Sequence, residues 1–207
     1  MNAMLRRAPL WGSLVLAAAC GTSHAPESAA PVAQSAPRVA ASDFSVHDLE
    51  SPWTDQAGQV RTLRSLAGRP RVMALVYTHC AHTCPAILAE FKRLEASLPT
   101  DANAPGFVLV SLDPARDTPA RLAEFAASAR LDPARWTLLT ADDESVRDLA
   151  ALLRIRYRPE AHGEYSHANA YLVLDAEGRI VHRQEGLGEP DRALAALRAL
   201  HGAPSAR

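Results

Sequence analysis

Stretches of consecutive apolar residues predict the strands of a sheet. Two of them, "RVMALVY" (Arg71–Tyr77) and "GFVLVSLD" (Gly106–Asp113), are almost entirely apolar, which is typical of central strands that are buried on both faces. A shorter strand is predicted at Arg135–Thr140. Two more apolar segments, Asn169–Asp175 and Gly178–Arg183, flank a short polar turn and predict a closing hairpin.

Between these strands the apolar residues recur at helical spacing. In "PAILAEFKRLEASL" they form one stripe along the predicted helix, and the proline suits its first turn. A second segment has a capping threonine, Thr118, directly before a proline, which indicates a helix start. Four helices are predicted in this way, at Pro85–Leu98, Asp117–Ser128, Asp143–Leu153 and Glu189–Leu200.

The order of these elements predicts the fold class. A first hairpin is predicted with strands at Phe44–Leu49 and Gln59–Leu63 around the polar turn Asp55–Gly58. Strands that alternate with helices and then end in a hairpin indicate an α/β sandwich around a mixed central sheet. Because the strand Arg71–Tyr77 leads into two cysteines at the start of a helix, the layout is that of a thioredoxin-like domain. Another small α/β fold is the alternative.

The N-terminus predicts export. Arg6 and Arg7 precede an apolar run of about twelve residues, shorter than the roughly 20 that span a bilayer, so residues 1–19 are interpreted as a signal peptide. The run ends in "LAAACG", which indicates a lipoprotein signal with Cys20 as the acylated residue. Ordinary cleavage after Ala19 and an uncleaved anchor are the alternatives. The lipoprotein interpretation predicts a protein that faces the periplasm and is held to a membrane by lipid.

The rest of the chain divides into a tether, a domain and a tail. Residues 20–42 are rich in Ala, Pro and Ser and contain almost no large apolar side chains, so we predict a flexible tether. Residues 43–202 form the predicted domain, and 203–207 a short tail. The formal net charge of -1 and the lack of a run of basic residues argue against a nucleic-acid partner.

The candidate chemistry lies in "YTHCAHTCP" (Tyr77–Pro85). If Cys20 carries lipid, Cys80 and Cys84 are the two cysteines of the domain. A disulfide across three residues removes little chain entropy and would stabilise the fold only slightly. The pair is therefore better explained as a chemical site than as a structural disulfide. At a helix N-terminus the dipole favours thiolate, which predicts a lowered pKa for Cys84. A redox disulfide and a metal site are both compatible with this spacing.

Two thiolates do not complete a usual metal site, so a third ligand is needed. His79 follows a strand, His82 lies between the cysteines, and His167 precedes the strand "AYLVL" in a predicted loop at the edge of the sheet. Each of the three is a candidate by position. Two thiolates and an imidazole suit Cu(I), and Zn²⁺ also accepts such donors, usually with a fourth ligand that His82 could supply.

Three segments together carry a resemblance to a known family. "YTHCAHTCP", "VSLDPARDTPARLAEF" and "YSHANAYLVLDAEGRIV", in this order and spacing, resemble the SCO/SenC family over residues 44–200. The resemblance implies a membrane-tethered, thioredoxin-like copper protein that assists assembly of the dinuclear copper site of cytochrome c oxidase. It also implies Cys80, Cys84 and His167 as ligands of Cu(I) or Cu(II), with Asp113 near the site.

The sequence therefore supports two main functions and a third, weaker one. The first is a copper metallochaperone whose partner is a cytochrome c oxidase subunit or another cuproprotein. A separate thiol reductant would keep Cys80 and Cys84 reduced, because their disulfide cannot hold the metal. The second is a thiol–disulfide oxidoreductase that reduces cysteines of a cuproprotein partner and does not need His167. A peroxidase is disfavoured because Thr83 lies next to Cys84 rather than at the usual spacing.

Overall fold

The computed structural model describes residues 44–80, 83–160, 164–188 and 190–201. The elements run in chain order, with short 3-10 turns at Val46–Asp48 and Leu63–Leu66. The strands are β1 (Trp53–Asp55), β2 (Val60–Arg61), β3 (Arg71–Val76), β4 (Gly106–Ser111), β5 (Trp136–Thr140), β6 (Tyr157–Pro159), β7 (Tyr165–His167), β8 (Ala170–Leu174) and β9 (Ile180–Glu185). The helices are α1 (Thr83–Ala96), α2 (Pro119–Ser128), α3 (Asp143–Leu152) and α4 (Asp191–His201).

A mixed sheet organises the domain, with strand order β2-β1-β5-β4-β3-β8-β9. Strands β3, β4 and β5 are parallel, while β8 pairs antiparallel with β3 and β9 antiparallel with β8. The parallel strands β3 and β4 are buried at every residue, as expected for the centre of a sheet that is covered on both faces. The dithiol follows β3, so it lies at the end of the central strand.

Helices cover both faces of this sheet, because successive side chains of each strand point to opposite sides. On one face, Val72 and Phe107 pack with apolar residues of α1, α2 and α4. On the other face, Met73 and Val108 pack with apolar residues of α3. This arrangement confirms the predicted thioredoxin-like sandwich with a mixed central sheet.

The first predicted hairpin was wrong in its first strand. Residues around Val46 form a 3-10 turn, which Ser45 and Asp48 cap reciprocally at its start. The strand that pairs with β2 is β1, which begins at Trp53. A capping box therefore overrides the alternation of apolar and polar residues in this segment.

A small second sheet, β6 paired with β7, was not predicted. His167 is the last residue of β7 and pairs with Tyr157, whereas the sequence placed it in a loop. The predicted signal peptide, acylated Cys20, tether and tail lie outside the described residues. Within the part of the chain that the structure describes, no helix is long and apolar enough to cross a membrane.

Candidate metal centre

The two cysteines lie close together between the end of β3 and the first turn of α1. Cys80 ends a turn in which its N–H donates to the Tyr77 carbonyl at 3.3 Å, and Cys84 lies in the first turn of α1. The Cys84 N–H donates to the Cys80 sulfur at 3.3 Å. Cys80 is partly exposed and Cys84 is buried. A backbone donor at a helix start therefore points at the accessible sulfur, which favours a thiolate on Cys80.

Burial affects Cys84 differently from what the sequence predicted. Burial raises the pKa of the Cys84 thiol well above its ordinary value, although the backbone hydrogen bond of Tyr77 opposes this rise. The sequence predicted a lowered pKa for Cys84 from its place at the helix N-terminus, whereas in the structure the pKa is raised, because the thiol is buried. The pair is asymmetric, with one accessible sulfur and one buried thiol.

A buried carboxylate anchors the loop that carries Cys80. Asp117 is fully buried and accepts hydrogen bonds from the Thr78 N–H at 3.0 Å, the Thr78 hydroxyl at 2.5 Å and the Ser111 hydroxyl at 2.6 Å. The Thr78 hydroxyl also accepts from Arg121 Nε at 3.1 Å. Sequence reasoning missed this role, although the second aspartate of "DPARDTP" is its signal.

Tyr77 connects the dithiol to the β6–β7 sheet. Its hydroxyl donates to Glu164 at 2.6 Å and accepts from the Tyr165 N–H at 3.3 Å. Its ring meets that of His167 edge to face, with centroids 6.1 Å apart. Burial raises the pKa of Tyr77, and hydrogen bonds with Glu164 and Cys80 add to the rise. The phenol is therefore neutral, and its ring lies against the histidine of the predicted site.

His167 has one satisfied and one unsatisfied ring nitrogen. Its Nδ1 lies 3.1 Å from the Ala168 carbonyl oxygen, to which it donates in the neutral tautomer. Its Nε2 is buried and has no hydrogen-bond partner among the described residues. Burial lowers the pKa of His167, although the Ala168 carbonyl opposes this, so the ring is neutral at neutral pH. A neutral imidazole with one nitrogen held by a carbonyl is the form in which histidine binds metals.

The three predicted ligands are connected through Tyr77 but do not form a closed metal site. Within the described residues, no three His, Cys, Asp or Glu side chains lie close enough together to hold a metal ion. His167 contacts Tyr77, and Tyr77 interacts with Cys80. The donor set nevertheless fits a soft metal, because it offers two sulfurs and a buried imidazole nitrogen without a partner.

The remaining predicted site residues have different outcomes. Asp113 is buried at 3% exposure and forms an ion pair with Arg116. Its predicted place beside the metal stays a prediction. His82 lies outside the described residues, so its role as an additional ligand also stays a prediction. His79 is exposed, with its Nδ1 3.8 Å from Asp117.

The fold and the dithiol define a thioredoxin-like protein with a cysteine pair at a strand-to-helix turn. A sequence profile of the SCO1/SenC family matches residues 45–202. Because this match covers well over half of the chain, the chain belongs to the SCO1/SenC family, as the three quoted segments predicted.

Individual relatives are similar to the chain over most of the domain. A protein of Stutzerimonas stutzeri, whose name assigns it copper binding, is 30% identical over 131 residues, which are 61% of this chain and 63% of that protein. The SCO1 protein homolog of Bacillus subtilis is 25% identical over 136 residues, 64% of this chain and 70% of its own length. The copper-bound structure of Bradyrhizobium japonicum ScoI is 29% identical with a TM-score of 0.62, covering 72% of this chain and 96% of that one.

Proposed function

We propose that this protein is a copper metallochaperone that binds copper through Cys80, Cys84 and His167. It delivers the metal to, or prepares, the copper site of a respiratory cytochrome c oxidase, as the family resemblance implies. The observation that carries the proposal is the buried, unpartnered Nε2 of His167, whose ring contacts Tyr77 at the start of the turn that carries the dithiol. A buried nitrogen without a partner costs free energy unless it binds something.

The relatives support copper as the cargo. The Stutzerimonas stutzeri protein is named for copper binding, and the Bradyrhizobium japonicum structure contains copper. Two thiolates and an imidazole also match the preference of Cu(I) for soft donors. Because the three side chains do not meet in the present conformation, binding requires the cysteine loop and the β6–β7 sheet to move closer together.

The proposal includes the attachment of the domain to a membrane. Acylation of Cys20 would hold the chain by lipid on the periplasmic side, and residues 20–42 would let the domain reach a membrane-bound acceptor. A thiol reductant protein would restore the dithiol whenever Cys80 and Cys84 form a disulfide.

An anaerobic Cu(I) competition titration of the reduced protein tests the proposal. Wild type and His167→Ala are compared against a chelator of known affinity. We expect one Cu(I) per chain and an affinity that falls at least about tenfold in the variant, because loss of a mere hydrogen-bond partner of a metal ligand already costs about 10–100-fold in affinity. Weak binding in wild type, or equal binding in both proteins, would contradict the proposal.

A second function, thiol–disulfide oxidoreductase, is favoured by the asymmetry of the cysteines. The partly exposed Cys80 sulfur accepts a hydrogen bond from the Cys84 N–H, whereas Cys84 is buried. In this function, Cys80 thiolate attacks a partner disulfide and releases one partner thiolate, and Cys84 then attacks the mixed disulfide and releases the other. The products are the Cys80–Cys84 disulfide and a reduced partner dithiol. The oxidoreductase function would be favoured if His167→Ala reduced a peptide disulfide at the wild-type rate and the wild-type protein did not bind Cu(I) tightly.

A further inference from the structure

An arginine-lined groove opens beside His167. It has a volume of about 680 Å³ and lies between α3 and the β6–β7 sheet. Arg147 comes from α3, and Arg156 and Arg158 come from the segment that leads into and forms β6. His167 lines the same groove, so a candidate metal ligand and three cationic side chains face one space.

The charge of this groove, which we call the arginine groove, is not neutralised by its own walls. No acidic residue lines it among the described residues. Arg158 pairs with Glu160 at 2.9 Å. Arg147 interacts with Asp142 at longer range, and neither Arg147 nor Arg156 forms an ion pair within 4 Å with a described residue. All three arginines are exposed. Since the whole chain has a formal charge of -1, this concentration of positive charge is local.

The walls also contain apolar and aromatic surface. Ile155 and Ala150 are buried at the base of the groove, and the ring of Tyr157 forms part of its side. Guanidinium groups bind carboxylates through two parallel hydrogen bonds, and an apolar base with a tyrosine beside it is typical of a protein-binding pocket. The groove therefore combines features that suit the side chains of a peptide segment.

We propose that the arginine groove binds a carboxylate-rich segment of the protein that receives the metal. This inference rests on the proposed function, because an acceptor must approach His167 to take copper from it. Arg147 and Arg156 would hold acidic side chains of the acceptor, while its own ligands reach the cysteines and His167. Charges complementary across such an interface raise the rate of encounter and fix the orientation of the partners.

A protein fits this surface better than an anionic membrane. The large exposed apolar side chains of the described residues are Phe44 and Val60, and neither lines the groove. A membrane-binding face normally adds exposed apolar side chains to its basic residues. The arginines here surround a concave space, which admits an inserted side chain more readily than the plane of a bilayer.

The test uses the full metal-free chain in detergent and a dye-labelled hexapeptide of aspartate and glutamate. Its probe control is the same peptide with asparagine and glutamine. We expect fluorescence anisotropy to show binding of the acidic peptide that weakens about tenfold in Arg147→Gln/Arg156→Gln. The matched control Arg64→Gln/Arg192→Gln removes two exposed arginines elsewhere and should bind within about twofold of wild type.

A second measurement locates the bound peptide. In the NMR spectrum of histidine-labelled protein, the signal that disappears in His167→Ala belongs to His167. Acidic peptide should shift this signal in wild type and leave it unshifted in Arg147→Gln/Arg156→Gln. Equal peptide binding by the two double variants, or an unshifted His167 signal, would overturn the proposal.

Two further outcomes separate this inference from its alternatives. If short-chain phosphatidylglycerol shifts the His167 signal in wild type but not in Arg147→Gln/Arg156→Gln, while the two double variants bind the peptide equally, the groove binds lipid headgroups and the proposal is wrong. Cu(I) titration of the same proteins should give unchanged affinity in both double variants. If wild type fails to bind Cu(I), the proposed function fails, and the peptide result is then read separately as evidence on the groove alone.

Discussion

At the residue scale, Thr78 ties the cysteine loop to the buried carboxylate of Asp117. Thr78 lies two residues before Cys80. Its hydroxyl donates a hydrogen bond to Asp117 and accepts one from Arg121. Thr78→Val keeps the shape but leaves the carboxylate without this donor, so we expect a loss of about 1–3 kcal/mol of stability. Because the loop then holds Cys80 less firmly, Cu(I) affinity should fall by up to about tenfold, equivalent to about 1.4 kcal/mol.

Thr78→Ser is the matched control, since it retains the hydroxyl that Thr78→Val removes, and both variants keep the backbone N–H. Urea unfolding measures the stability of the two variants, and anaerobic competition measures their Cu(I) affinity. Thr78→Ser should resemble wild type in both. If Thr78→Val lost stability but bound Cu(I) as tightly as Thr78→Ser, the network would support the fold without positioning the cysteine.

We expect His47 to make stability depend on pH. Burial lowers its pKa below the ordinary 6.5, Arg64 and Arg71 add to this, and Asp175 and Asp48 oppose it. The unfolded chain therefore binds more protons than the folded chain in this range. The contribution of His47 is present above pH 6.5 and is lost as the pH falls through 6.5 towards the folded-state pKa.

The measurement compares urea unfolding of wild type and a His47→Gln variant at about pH 7.5 and about pH 5.5. We expect wild type to lose more stability than the variant over this interval, because glutamine does not titrate. The difference between the two proteins cancels the contributions of other groups. Parallel losses would show that His47 does not cause the dependence.

At the element scale, helix α1 is fixed to the end of the sheet by a buried glutamate. Glu90 is fully buried and accepts hydrogen bonds from the Tyr171 hydroxyl at 2.7 Å and the Gly188 N–H at 2.6 Å. Arg93 adds an ion pair at 3.3 Å. We expect Glu90→Ala to cost about 3–5 kcal/mol of unfolding free energy, because it leaves these buried donors without an acceptor.

Equilibrium unfolding in urea checks this value. Glu90→Gln keeps one acceptor oxygen and should fall between wild type and Glu90→Ala. The control is Glu144→Ala, an exposed glutamate of α3, which should change stability by no more than about 0.5 kcal/mol. A loss below about 1 kcal/mol in Glu90→Ala would mean that water satisfies the donors instead.

The apolar patterning of each element explains which elements the sequence could predict. The long helices have strong apolar periodicity, and β3 and β4 are continuous apolar runs, so their type and order were predicted correctly. Strands β6 and β7 are three residues each and contain no buried residue, and β6 ends in Pro159, so no apolar pattern identifies them. For the same reason His167 was expected in a loop rather than at the end of a strand.

The candidate site was predictable only in part. Neighbouring positions of Cys80 and Cys84 follow from local spacing, because the chain between them is short. The contact of His167 with Tyr77 joins segments that are far apart in sequence, and only tertiary packing creates it. Burial of Cys84 likewise depends on the packing of α1 on the sheet, so the direction of its pKa could not be obtained from its place in the helix.

At the scale of the whole molecule, metal binding should stabilise the fold, because its proposed ligands come from two distant segments. A ligand that binds the folded state alone, present at about 1,000 times its dissociation constant, adds about 4 kcal/mol. For a domain of this size that corresponds to a rise in Tm of about 8–16 °C. Anaerobic calorimetry with buffered Cu(I) measures the rise in Tm.

The His167→Ala variant should lose much of this rise. The control is His182→Ala, because the His182 ring lies near Gln184 on β9, and this variant should keep the rise. An undiminished rise in His167→Ala would mean that the cysteines bind Cu(I) without joining the two segments.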